Sequence, residues 1–192
     1  MIFKKMVKMD EVVLKKMGGG VWSPVFTLSR NEKKVYSFLS QKGFPAYLPL
    51  KRQINIQPVI SKGKSYSYKR VLHVPMFSNY LFVHITPEVQ KELNWNRSVV
   101  RIVKMNDLQE ETLLKELQVI RQLELFSETA DVDVFNGLKE GKKVVFTEGA
   151  FAGWEGVVLS VEPDGMVYIN ISSIGSSVRI KYPAAWCNVC GV

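Results

Sequence analysis

Cysteine is almost absent from this chain of 192 residues, which holds two, Cys187 and Cys190. Two thiols cannot build a disulfide framework. Their C-x-x-C spacing supplies half of the four ligands that a structural zinc site needs, so they read as a frayed terminal pair. Histidine is equally scarce. His73 and His84 fall inside strand-like stretches with no serine or cysteine nucleophile motif beside them, and both read as structural. No apolar run approaches the roughly 18–20 residues that span a bilayer. Lysines interrupt the first twenty residues, which excludes the unbroken core of a secretory signal. These absences point to a cytoplasmic protein with no metal, no cofactor, no membrane and no small-molecule substrate. Enzyme chemistry is not expected either, because the carboxylates cluster on one helical stretch, 110–124, as a solvated or partner-facing surface.

Acid is also missing from one region. Residues 21–74 carry ten lysines and arginines against Glu32 alone, a balance of +9, and residues 1–20 add +3. Residues 75–136 hold six basic and ten acidic side chains, and residues 137–192 hold five of each, so the whole sums to +8. A basic front beside an acidic middle implies two surfaces with different partners, the basic one a polyanion such as nucleic acid.

The pattern along the chain divides it. Residues 1–20 read as a basic, mobile tail ended by "MGGG". "VWSPVFTL" reads as a strand, made irregular or placed near an edge by Pro24. Ser29 and Glu32 spell a capping box for a helix with Val35, Phe38 and Leu39 on one stripe. "KRQINIQPVI" and "VLHVPMF" alternate as strands around a basic turn "SKGKSYSYKR", giving a basic hairpin. "NYLFVHI" is apolar enough for a central strand, and Thr86, Pro87 and Glu88 open a short helix. "SVVRIVKM" is a further strand. "DLQEETLLKELQVIRQL" repeats Leu113, Leu117, Ile120 and Leu123 at helical spacing. Residues 126–136 lack a period and read as a linker.

Beyond Gly137, "KKVVFTEG", "EGVVLSVEPDG", "MVYINISSIG" and "SVRIKYP" are short strands separated by glycine or turn signals, including Asp164-Gly165. So many strands in about 55 residues cannot form a useful core as a flat sheet, and a small β-barrel is the sensible packing. The expected class is α+β: an α/β sandwich over 21–125, a linker over 126–136 and a small barrel over 137–192. Gly149, Gly153 and Gly156 mark tight corners or close approach of another chain segment. Phe151 and Trp154 between them plug a barrel end or face a partner.

These stretches resemble a known family. "VVFTEGAFAGWEGVVLSVE" is similar to the KOW motif, carried on an SH3-like barrel, of the NusG transcription elongation factors. "VWSPVFTLSRNEKKVYSFLSQKGFPAYLPL", "PMFSNYLFVHITPEVQ" and "WNRSVVRIV" resemble successive segments of that family's N-terminal (NGN) domain, in the same order. The resemblance covers roughly residues 21–183. It implies an aromatic pocket that grips the clamp coiled coil of RNA polymerase, at the matching positions Trp22, Phe26, Phe77, Tyr80 and Phe82. Alternation puts Tyr80 and Phe82 on one face of their strand, so two or three of the five are expected to touch polymerase. The resemblance also implies a basic face along the non-template DNA strand, with Arg30, Lys33, Lys34 and Arg97 in place. Lys62, Lys64, Lys69 and Arg70 of the hairpin extend it towards upstream duplex DNA.

In the family the barrel recruits the ribosomal protein NusE or the termination factor Rho, which here would involve Phe151, Trp154 and Ile174. "SSIGSS" departs from the family's loop, with Ile174 where a phenylalanine is usual, and this argues against tight NusE or Rho binding. "NYLFV", "TPEV" and "TEGAF" are closer to specialised antiterminators of the RfaH and UpxY type, which keep polymerase processive through one long operon such as a polysaccharide cluster. A housekeeping NusG-type factor and an RNA- or ribosome-binding KOW protein are the alternatives. The β-branched C-terminal strands favour a barrel over the helical hairpin that RfaH-like proteins can form.

Overall fold

The computed structural model describes residues 14–61, 64–158 and 165–189. Most of the expected N-terminal tail (residues 1–13), Lys62 of the expected basic turn, Asp164 of the expected Asp-Gly turn and Cys190 lie outside the described residues. In chain order the first elements are β1 (Val21–Thr27), α1 (Glu32–Gln41), β2 (Ala46–Tyr47), β3 (Leu50–Ser61), β4 (Lys64–Pro75) and β5 (Tyr80–Ile85). They are followed by α2 (Pro87–Trp95), β6 (Val99–Ile102), α3 (Asp107–Phe126) and β7 (Val132–Asn136). The last are β8 (Lys142–Phe146), β9 (Glu155–Val158), β10 (Met166–Ile171), β11 (Ser176–Lys181) and β12 (Cys187–Val189). The mixed α+β class expected from the sequence is the class the chain adopts. Two compact units divide it: Met1–Leu48 with Ser78–Gln118, and Pro49–Phe77 with Val119–Val192.

The first unit is built on an antiparallel sheet in the order β2-β5-β1-β6. Pro24 is not near an edge, since β1 lies between β5 and β6. A strand residue points its N–H and C=O to the same side, and the Pro24 carbonyl accepts from Val103 N–H at 2.9 Å, just past the end of β6. The donor that proline lacks therefore falls at the end of this ladder, where a single bond is lost. β5 is buried along both faces from Leu81 to His84, as its apolar run suggested. Lys15 lies in the expected tail, yet its carbonyl accepts from Trp22 Nε1–H at 3.0 Å.

The expected capping box at Ser29 does not form. α1 begins at Glu32 behind Asn31, which makes no side-chain cap bond, and the buried Glu32 carboxylate serves another loop described below. A reciprocal box appears instead at α3, where Asn106 Oδ1 accepts from Gln109 N–H at 2.8 Å and Gln109 Oε1 accepts from Asn106 N–H at 3.0 Å. α2 starts as its sequence indicates, with Thr86 Oγ1 accepting from Val89 N–H and Pro87 in the first turn. Leu113, Leu117, Ile120 and Leu123 of α3 are all fully buried.

In the second unit, β3 and β4 form a ribbon of two strands, with register from Leu50↔Pro75 to Ser61↔Lys64. "SYSYKR", expected in a turn, is strand throughout, because its alternating tyrosines suit a pleated ladder. The foot of the ribbon is held by α3 and the following chain. Leu50 N–H donates to Glu124 at 2.9 Å, Lys51 Nζ to the Val132 carbonyl at 3.0 Å, and His73 pairs with Glu128 at 2.9 Å.

The C-terminal strands make a six-stranded antiparallel sheet in the order β12-β8-β9-β10-β11-β7. β7 lies where a linker was expected: Val132 to Asn136 pair with β11, and Arg179 reaches Asp133 at 2.6 Å. β12 lies where a frayed terminus was expected, with Cys187 paired to Phe146. In a flat sheet β11 and β12 would stand about 19 Å apart, four strand spacings. The link between them is only residues 182–186, and three of these make a 3₁₀ turn, so the sheet must curl. Its core holds Phe146, Phe151, Ile171, Val178 and Ile180. Gly149 shows why the glycine run exists. Its φ is +75°, and a Cβ there would collide with the Tyr182 hydroxyl.

Candidate functional site

The antiparallel register places one set of side chains on one face of the first sheet. Across β5, β1 and β6, Tyr80 opposes Phe26 and Phe26 opposes Arg101. Alternation puts Pro24, Trp22, Phe82 and His84 on the same face, and Tyr47 joins it opposite Phe82. The face therefore carries aromatic residues from three neighbouring strands. Tyr47 stacks on Phe82 with ring centres 6.4 Å apart, and Trp22 lies tilted 6.0 Å from His84.

Burial divides this face. Trp22 and Phe82 are fully buried, and Tyr47 and His84 nearly so. Phe26 and Tyr80 are half-buried. Their rings meet edge to face at 5.0 Å, and the exposed Arg101 guanidinium lies 5.6 Å from the Phe26 ring centre. Both distances fall where aromatic pairs and cation–π contacts are attractive. The register skips Val100 between the Phe26 and Thr27 pairs, and Val100 is left exposed. The open end of the face thus combines ring edges and a cation, next to a bulge in the edge strand.

A partly buried hydrogen-bond frame fixes that end. Asn79 sits at φ 69°, a conformation that asparagine tolerates better than most residues. Its N–H donates to Glu32 Oε1 at 2.6 Å, its carbonyl accepts from Thr27 N–H at 2.8 Å and its Nδ2 donates to the Thr27 carbonyl at 3.1 Å. Leu28 N–H donates to the Ser98 carbonyl at 2.9 Å, and Ser98 Oγ donates to Asn31 Oδ1 at 3.2 Å. Three loops are tied together, and Tyr80 is locked next to Phe26.

The same frame gathers the basic residues. Arg30 and Arg97 each lie one residue from the Asn31–Ser98 bond, Arg30 at φ 62°. Lys33 and Lys34 follow in the first turn of α1. All four are exposed. Lys69 and Arg70 are exposed on β4, in the other unit.

Not all of the sequence-predicted positions reach a surface. Trp22 and Phe82 lie within the face, and Phe77, at the foot of the ribbon, is also buried, so these three are interior and contribute support. Phe151 is fully buried against Phe126, Phe146 and Tyr182, with ring centres 5.6–5.7 Å away, and Ile174 is buried in a 3₁₀ turn. Trp154 alone of the three C-terminal positions keeps partial exposure. Arg101 and Val100 were missed, although "VVRIV" contains both; period 2 alone does not mark a bulge. Trp95, 81 % exposed at the end of α2, was missed as well.

The other groups offer little chemistry. A cleft of about 530 Å³ on the opposite face of the sheet is lined by Val21, Ser23, Gln90, Asn94 and Lys104 among others, a set without a nucleophile–base pair. Among the described residues no three His, Cys, Asp or Glu side chains converge. Burial raises the pKa of the Cys187 thiol, leaving less thiolate at neutral pH. The Arg179 guanidinium is held further towards its charged form by its hydrogen bond to Asp133. No described helix is long and apolar enough to cross a membrane.

Comparison with known proteins adds an independent line. A family model described as "Transcription termination factor nusG" matches residues 20–135, more than half of the chain. Among solved structures, one described as "Domain interaction in Thermotoga maritima NusG" is 17 % identical, with 89 % of this chain and 97 % of that chain covered and a TM-score of 0.49. Another, "Crystal Structure of MjSpt4:Spt5 complex conformation B", is 14 % identical over the same shares with a TM-score of 0.28. The assignment rests on the family model.

Proposed function

This chain belongs to the NusG family of transcription factors, and from that premise we propose that it is an elongation and antitermination factor docking on RNA polymerase through the Tyr80–Phe26–Arg101 row. The observation that carries the reading is the half-open aromatic pair beside a cation, held rigid by the Glu32–Asn79–Thr27 frame. Rigid aromatic anchors with an arginine are the residue types that dominate binding energy at interfaces. A half-open row of this kind offers anchors to the helical tip of the polymerase clamp.

In this reading residues 21–125 act as the NGN domain and residues 137–192 as the KOW domain. Arg30, Lys33, Lys34 and Arg97 lie along the non-template strand, giving phosphate attraction with little base choice. Lys69 and Arg70 meet upstream duplex DNA. A second protein, NusE or Rho in the family, would meet the C-terminal unit at Trp154, while Phe151 and Ile174 act from within. The factor works in the cytoplasm, makes and breaks no covalent bond, and acts mechanically. A clamp held closed and a bubble edge held paired make backtracking and hairpin-induced pausing less favourable. Its target is one long operon of the kind that encodes a polysaccharide.

The test is single-round transcription with purified polymerase on templates carrying a hairpin pause and a terminator, behind several leader sequences. Shorter pauses and greater run-through behind one leader are expected. Equal effects behind every leader would indicate a housekeeping factor. No effect, with no polymerase retained on the immobilised chain, would overturn the reading.

A further inference from the structure

The β3–β4 ribbon has features that polymerase docking does not use. It is a sheet of two strands only, and from Gln53 to Pro58 and from Ser65 to Val71 its residues are exposed. Residues 50–75 contain six lysines and arginines and no aspartate or glutamate. The register sorts the side chains into two faces. One face pairs Ile54 with Val71 and Ile56 with Lys69. The other places Gln53, Asn55 and Gln57 at alternate positions of β3, with Arg70 directly opposite Asn55 and Tyr68 opposite Gln57.

We propose that this second face enters the major groove of double-stranded DNA and reads base edges with Gln53, Asn55, Gln57 and Arg70. A two-stranded ribbon is one of the two elements that the B-form major groove, about 12 Å wide, admits. Glutamine and asparagine pair bidentately with adenine N6 and N7, and arginine with guanine O6 and N7. Alternate side chains on a strand stand about 6.8 Å apart, twice the rise per residue and close to two base-pair steps of about 3.4 Å. The excess of positive charge supplies the phosphate attraction that holds the ribbon in register. A-form RNA does not fit, because its major groove is too narrow for side chains to read. The inference rests on the reading that this chain works at transcribed DNA, and it names the feature of the DNA that is read.

The test omits polymerase, so that this inference and the docking reading can fail separately. The full chain is incubated with a pool of random 20-base-pair duplexes, and bound sequences are enriched and measured by fluorescence anisotropy. The expected winners carry adenines about two base pairs apart with a guanine beside the central one. Asn55→Ala and Arg70→Ala should each reduce the preference for the winner over a scrambled duplex at least 10-fold. Ile54→Ser, on the opposite face, should leave that preference unchanged. Replacing the guanine by 7-deazaguanine, which lacks the major-groove N7, should weaken wild type and leave Arg70→Ala unaffected. All three positions are exposed, so unchanged melting temperatures should accompany these results. Any one of three results would overturn the proposal: no enriched sequence, equal preference in Asn55→Ala, or tighter binding to the single strand through Tyr66 and Tyr68.

Discussion

Two aromatic clusters in this molecule have opposite fates. In the second unit, Phe146, Phe151 and Tyr182 close on one another, Phe146 against Tyr182 at 4.8 Å, and all are buried. In the first unit, Phe26 and Tyr80 meet in similar geometry yet stay half-open, with Arg101 alongside. Ring–ring contact therefore does not distinguish a closed core from a half-open face. What differs is the company of the rings. The closed cluster sits inside a curled sheet and is packed against glycine, whereas the open pair sits at a sheet end beside a bulge, a cation and charged loops.

Breaking the closed cluster should have the largest effect. Phe151→Ala removes a fully buried ring and should destabilise the second unit by about 3–5 kcal/mol, read by chemical denaturation. The first unit's frame gives a smaller effect. Glu32→Ala leaves the Asn79 N–H unpaired and should cost about 1–3 kcal/mol, lowering the melting temperature. Glu32→Gln, which keeps an acceptor, should recover most of it. If both variants weaken polymerase binding equally, the frame does not position Tyr80.

The smallest effect is alkaline. Burial raises the Tyr182 pKa, because the phenolate is poorly solvated against Phe146 and Phe151. The folded state then keeps its proton after the unfolded chain has lost it. This contribution is complete below the ordinary tyrosine value of about 10 and disappears as pH rises through the higher folded value. Melting curves from pH 8 to 11 should show the decline, and Tyr182→Phe should flatten it.

Much of this was legible in the sequence. The leucine stripe of α3, the Thr86–Pro87 start of α2 and the apolar run of β5 are strong local signals, and each forms. β7 and β12 were hidden because their short, mixed sequences become strands only through β11 and β8, distant in the chain. The capping box failed at Ser29 because Glu32 has a better partner 47 residues away, a tertiary bond that no local rule contains. The candidate site was half visible. Alternation placed Tyr80 and Phe82 on one face, and the register agrees. How deep each ring lies depends on packing, and so Trp22, Phe77 and Phe82 turned out interior while Arg101 escaped notice.

The central claim is that the open pair docks on polymerase while the closed cluster only supports the fold. The most direct test is the affinity of purified polymerase for the wild type and for Tyr80→Ala, with melting curves for both. An interface anchor accounts for about 2 kcal/mol or more, so binding should weaken at least 10-fold while the melting transition moves little. Unchanged affinity in a folded Tyr80→Ala would contradict the account.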